Sequence, residues 1–152
     1  FLLLSLPLFL LPSPPSLSLP SFLTPLTFCI GINKRYHDHA LGITRLNVLM
    51  GLAGFFVVRD EHEASLPLPR GDFDIPLVLQ DRSFMENGTL DYPARWRMMW
   101  GGRHIVVNGK VTPYHTFKRA VYRLRLLNGA NSREFSLYFD PPVPVHVIAT
   151  DR

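Results

Sequence analysis

Two histidines one residue apart, His37 and His39, are the residues of this chain whose type and spacing point most directly to chemistry. In an extended segment, residues i and i+2 project from the same face, so the two imidazoles point together while Asp38 points away. Paired imidazoles on one face suit Cu, Zn, Fe or Ni, with copper near the top of the affinity order. The competing reading is two half-buried strand histidines with no ligand. Trp96, Met98, Met99 and Trp100 form a second group, since thioethers favour Cu(I), but methionine more often fills gaps in a core, and packing is the reading adopted. Asn87-Gly88-Thr89 is both a tight-turn signal and an N-x-T glycosylation acceptor in a chain that enters the secretory pathway. Cys29 is the single cysteine, so it has no internal disulfide partner and reads as a bystander thiol. His62 sits among acidic neighbours in a solvated loop. His104 and His115 are expected to lie in a sheet and are given no metal role, and His146 has no partner at ligand spacing.

The elements that must hold these residues follow from local pattern. From Ala40 to Met50 the apolar positions fit a short helix, which Gly51 and Gly54 break. Leu52–Val58 is an apolar run of strand length, expected to be a buried sandwich strand with Leu46, Phe55 and Val57 in the core. The segment 60–71 has the composition of an exposed connector and is the expected domain boundary. The next run, 72–81, reads as a strand with a proline near its start. Asn87-Gly88 and Asn108-Gly109 both predict two-residue turns with φ > 0 at both centres. In Val121-Tyr122-Arg123-Leu124-Arg125 the alternation puts both arginines on one face, expected to be solvated. A last alternating strand is predicted over 143–151, with His146 facing away from the core.

A chain of 152 residues with fourteen prolines and several short β-rich runs indicates an all-β class. The net charge of +4 comes from scattered arginines, so no nucleic-acid partner is expected: such a surface needs clustered charge and a recognisable module. The chain opens with Phe1 and uses only Phe, Leu, Ser and Pro through residue 28, apart from Thr24 and Thr27. No charge precedes the apolar core of a signal peptide, and Pro12, Pro14, Pro15 and Pro20 break any membrane span. Those four residue types are largely encoded by codons rich in pyrimidine. Residues 1–35 are therefore read as translated intron sequence, a truncated leader being the alternative.

Tyr36-His37-Asp38-His39-Ala40, Thr44-Arg45-Leu46-Asn47-Val48, Gly51-Leu52-Ala53-Gly54 and Arg59-Asp60 together resemble one segment of the multicopper oxidases. The similarity is to the branch of spore-coat laccases, bilirubin oxidases and plant root ferroxidase-like proteins. Relatives often carry a tryptophan where this chain has Arg35. DIPLVLQDRSFMENGTLDYP, IVVNGKVTPY and YRLRLLNGANSREFSLYF are similar to successive strands of the family's second cupredoxin domain. The resemblance implies a mainly β fold of incomplete cupredoxin-like Greek-key β-sandwich pieces. It implies a leader over 1–35, the end of domain 1 over 36–60, a linker over 61–71 and the start of domain 2 over 72–152. It implies that His37 and His39 each bind a different copper of the type 3 pair, with dioxygen and a small reducing substrate or Fe(II) as partners of the parent protein. Arg45 and Asn47 are expected to hydrogen-bond around the pair, because metal-bound imidazoles need outer partners. The same resemblance implies a secreted or secretory-pathway protein, and the chain alone, lacking the family's type 1 site, is expected to be inactive. A copper-free structural fragment is the alternative.

Overall fold

The computed structural model describes residues 26–29, 33–93 and 100–150. Eight strands and two short helices are present among them: β1 Leu26–Cys29, β2 Asn33–His37, α1 Thr44–Leu49, β3 Ala53–Val57, α2 Glu61–Ser65, β4 Asp74–Arg82, β5 His104–Val107, β6 Lys110–Val111, β7 Tyr122–Asn128 and β8 Val145–Val147. Six strands form one sheet in the order β6-β5-β4-β7-β1-β8, and β2 and β3 form a separate antiparallel ribbon. The β5 strand runs antiparallel to β4, and β7 runs parallel to it. Of the leader segment 1–35, residues 26–29 and 33–35 run in β1 and β2; β1 lies parallel between β7 and β8 and supplies backbone partners to both.

The core follows the alternation of β7. Tyr122 and Leu124 are buried on one face against Phe73, Ile75, Leu77, Phe117, Leu126 and Phe139. The rings of Phe117 and Tyr122 meet edge to face at 4.9 Å, which suits their quadrupoles. Arg123 and Arg125 occupy the other face, as alternation requires, but that face is not solvated: they are 4% and 2% exposed. Asp74 of β4 and Glu63 of α2 cover them, so charge pairing across 51 to 62 residues overrides what the local pattern predicts.

Leu46 and Val57, expected in the core, are exposed, and Phe55 is half-buried. Leu52, Phe56 and Val58 are exposed with Val57, so the predicted buried strand is largely open. The strand predicted over 143–151 is confined to β8, where Val145, His146 and Val147 are all exposed. His115 follows β6 in an irregular stretch rather than lying in the sheet.

The two Asn-Gly pairs fold differently. Asn108 and Gly109 both have positive φ, 48° and 81°, and join β5 to β6 as the predicted two-residue turn. At Asn87-Gly88 only Gly88 is left-handed, with φ 80°. Gly88 N–H donates to the Met85 carbonyl and Met85 N–H to the Thr89 carbonyl, which closes a three-residue loop instead. The Asn108 side chain also extends the ladder of β4: its Oδ1 accepts from Val78 N–H at 2.8 Å and its Nδ2 donates to the Pro76 carbonyl at 2.9 Å. It thereby serves the stretch of β4 that β5 does not reach, where Pro76 is tolerated.

Candidate metal centre

His37 is the last residue of β2, opposite Ala53 in the ribbon. Asp38 continues the pairing through its N–H to the Leu52 carbonyl at 2.9 Å, then ends it, because its Oδ1 accepts from Ala40 N–H at 3.1 Å. This side-chain turn brings the chain round into α1 and leaves His39 beside His37. Beneath them Tyr36 crosses Gly54: a Cβ added at Gly54 would lie 2.7 Å from the Tyr36 hydroxyl, so the glycine is what lets the ring lie flat across the ribbon.

The two imidazole rings stand 5.8 Å apart with their planes 27° from parallel, and both residues are exposed. His37 Nδ1 lies 2.7 Å from the Asp38 carbonyl oxygen. A carbonyl only accepts, so Nδ1 carries the proton, and the lone pair of the neutral ring is left on Nε2. Metal-bound histidines use this arrangement, one ring nitrogen held by a carbonyl and the other free to ligate. A cavity of about 310 Å³ opens beside His37, lined among others by Arg35, Thr44, Arg45, Asn128 and Asn131.

The element carrying the pair is tied to the large sheet by side chains that the sequence did not single out. Asn131 Nδ2 donates to the Arg45 carbonyl at 2.8 Å, across 86 residues. Arg82 of β4 is buried and donates to the Val48 carbonyl at 3.4 Å and the Asp81 carbonyl at 2.9 Å. Burial pulls the Arg82 guanidinium below its usual range, and neighbouring Asp81 only partly offsets this. Asp81, 1% exposed, accepts from Gly102 N–H at 2.5 Å and Arg133 Nε at 2.8 Å. Spacing holds no trace of these ties, since backbone carbonyls accept most of them.

At the other end of the ribbon the expected connector is partly helical. Asp60 caps α2, accepting from Glu63 N–H at 2.7 Å. Asp-x-x-Glu is a capping-box signature, and it is the sequence signal that could have found this helix. The Glu63 carboxylate reaches Arg123 and Arg125 at 2.6 and 2.8 Å, rather than turning back to the cap. Arg125 makes a two-pronged contact with Asp74 at 2.7 and 2.8 Å. Burial alone would raise both carboxyls; hydrogen bonds from Arg125, with Arg123 also acting on each, outweigh it and hold them below the usual carboxylate range.

Of the other predicted site residues, the Arg45 guanidinium lies 4.9 Å over the Tyr92 ring, and its side chain lines the cavity with His37. Neither Arg45 nor Asn47 hydrogen-bonds through its side chain to an imidazole among the described residues. Asn87 is exposed at the loop tip, its Oδ1 accepting from Thr89 N–H at 3.1 Å and the Thr89 hydroxyl at 2.7 Å. Trp96, Met98 and Met99 lie outside the described residues, while Trp100 packs edge to face on Tyr92 at 5.5 Å. His62 is exposed on α2 and His104 at the start of β5. No group of three or more His, Cys, Asp or Glu suited to a metal occurs among the described residues. The pair thus fits copper by donor type and by the fixed proton on His37, with two candidate donors among the described residues. No described helix is long and apolar enough to cross a membrane.

No family profile matches the chain. It is 42% identical over 130 residues to a laccase of Bacillus stratosphericus, an alignment covering 76% of this chain and 26% of that protein. It is 42% identical over 121 residues to the multicopper oxidase LPR1 homolog 5 of Oryza sativa subsp. japonica, covering 78% of this chain and 19% of the relative. Among solved structures, the McoA multicopper oxidase of the hyperthermophile Aquifex aeolicus superposes with a TM-score of 0.61 at 40% identity, over 66% of this chain and 23% of that one. The chain therefore spans about a quarter or less of these relatives' length. Its mostly stranded architecture, with few helices, is cupredoxin-like. On sequence and backbone together, the chain belongs to the multicopper oxidase family.

Proposed function

We propose that His37 and His39 are copper ligands, each binding a different copper of a type 3 pair. In this reading the complete protein couples one-electron oxidation of a phenol-like reductant or Fe(II) to the reduction of dioxygen to water. The observation that carries it is the imidazole pair itself: adjacent rings, with the His37 Nδ1 proton committed to the Asp38 carbonyl and Nε2 left to ligate. Copper bound there supplies one-electron redox chemistry and the site of oxygen reduction. The chain's own residues orient the ligands. Asp38 fixes the tautomer of His37 through its carbonyl and, through its carboxylate, the turn that sets His39 alongside. Arg45 supports the pair from α1 through its place in the wall of the His37 cavity, and Asn47 acts through its backbone carbonyl, which accepts from Leu52 N–H at 2.9 Å.

The same reading divides the chain into the end of one cupredoxin domain (36–60), a linker (61–71) and the start of a second (72–152). The protein is secreted, and Asn87, exposed at its loop tip, carries a glycan. Two imidazoles fill only part of any copper's coordination sphere, so the 152-residue chain alone is inactive. The test is dioxygen uptake by the complete gene product with a phenol or with Fe(II) as reductant. Uptake is expected, and His37→Ala and His39→Ala are each expected to abolish it. Uptake unchanged in both variants contradicts the reading, and no uptake in the parent favours the copper-free structural fragment.

A further inference from the structure

We propose that Glu63 is a positioning residue for the histidine pair, holding the β2–β3 ribbon at one fixed angle to the six-stranded sheet; its consequence for copper rests on the ligand reading above. Among the described residues the ribbon shares no backbone ladder with the sheet. Besides the approach of β3 to β4, side-chain ties at its two ends set its orientation. Near the imidazoles those ties are Asn131 to the Arg45 carbonyl and Arg82 to the Val48 carbonyl. At the far end, where β3 leaves the ribbon, the tie is ionic. One oxygen of Glu63, Oε1, lies 2.6 Å from Arg123 Nη1 and 2.8 Å from Arg125 Nη2, two guanidinium groups on the same face of β7. Arg59, between β3 and α2, reaches the same Glu63 oxygen at 3.7 Å and Asp74 of β4 at 3.2 Å. Five charged groups thus join the exit of the ribbon, α2, β4 and β7 at one point.

The arginines are almost wholly buried, which makes this tie directional: charge-assisted bonds to a planar guanidinium lose strength quickly with angle. Arg59 alone, on an exposed side chain, would hold the ribbon loosely. Metal ligands must keep their distances to within about 0.2 Å, so a rotation of the ribbon that is small at Glu63 matters at the imidazoles. The charge on Glu63 does the holding, and it acts through the backbone from residue 63 back to Ala53, the cross-strand partner of His37.

The test uses the full chain with Cys29→Ser, spin labels at Leu41→Cys beside the histidines and Lys110→Cys on β6, and pulsed electron–electron double resonance. One narrow distance is expected. Glu63→Gln, which keeps shape and removes charge, is expected to add a second distance while circular dichroism shows the sheet retained. An unchanged distribution in folded Glu63→Gln overturns the proposal. If that variant does not fold, Glu63→Asp carries the test: a shifted distance supports the proposal and an unshifted one overturns it. Copper titration of the complete gene product is the second arm, and Glu63→Gln is expected to weaken binding about ten-fold there, as loss of outer support commonly does. A shifted distance with unchanged copper affinity overturns the positioning role. A complete gene product that binds no copper, while the spin-label distance still depends on Glu63, overturns the ligand reading alone.

Discussion

At the scale of single residues, function and stability turn on where protons and small side chains are required. The histidine pair was legible because i, i+2 spacing in a strand leaves no choice of face. Asn131 and Arg82 were not legible, because each bonds a backbone carbonyl, which leaves no mark on the sequence that supplies it. Gly102 is similar: a Cβ there would lie 2.3 Å from the backbone nitrogen of Arg82, and only the structure reveals that contact. Gly102→Ala should therefore lower stability by about 3 kcal/mol, read from the urea midpoint, since backbone cannot yield as a side-chain tip can. Arg45 rests on Tyr92, so Arg45→Gln should cost about 0.5–1 kcal/mol in the same assay.

At the scale of elements, partners distant in sequence decide what local pattern leaves open. Alternation along β7 assigned Arg123 and Arg125 to one face correctly, but nothing in Tyr122–Asn128 says that Asp74 and Glu63 cover that face. Removing one member of such a cluster leaves buried charge behind, so Arg125→Met should destabilise by about 3–5 kcal/mol. The pH dependence follows from the carboxyls. Glu63 and Asp74 titrate lower in the folded chain than in the unfolded one, so their contribution is complete above the unfolded carboxylate range. It is lost as pH falls through the folded values. Urea midpoints measured downward from pH 7 should hold until the usual carboxylate range is reached and then drop, and Arg125→Met should flatten that drop. Turn length is also set by partners outside the turn. The same Asn-Gly pair makes a two-residue turn after β5 and a three-residue loop after β4, because the paired residues on either side, Val107 with Lys110 and Phe84 with Leu90, set the loop length. Asn108→Ala should cost about 2 kcal/mol, through the left-handed backbone and the loss of two side-chain bonds to β4.

At the scale of the whole molecule, a β class was readable from short alternating runs, whereas strand order was not, since β7 returns beside β4 only after the β5–β6 hairpin. Leu46 and Val57, expected to be buried, are exposed for a related reason: patterning identifies an apolar run but not which of its residues meet the rest of the chain. Tyr36, Leu41, Met50, Leu52 and Phe56 are exposed on the histidine-bearing element, and β8 leaves apolar Val145 and Val147 at a sheet edge. Such edges and patches pair with other chains, so the chain should associate as concentration rises in light scattering, and Val147→Lys should reduce this. Whether His37 and His39 ligate copper is decided by measuring bound copper per molecule in the complete gene product. Replacing both by alanine is expected to lower the copper content, whereas replacing His62, His104, His115 and His146 is expected to leave it unchanged. An unchanged copper content in the His37→Ala/His39→Ala double variant would overturn the ligand assignment.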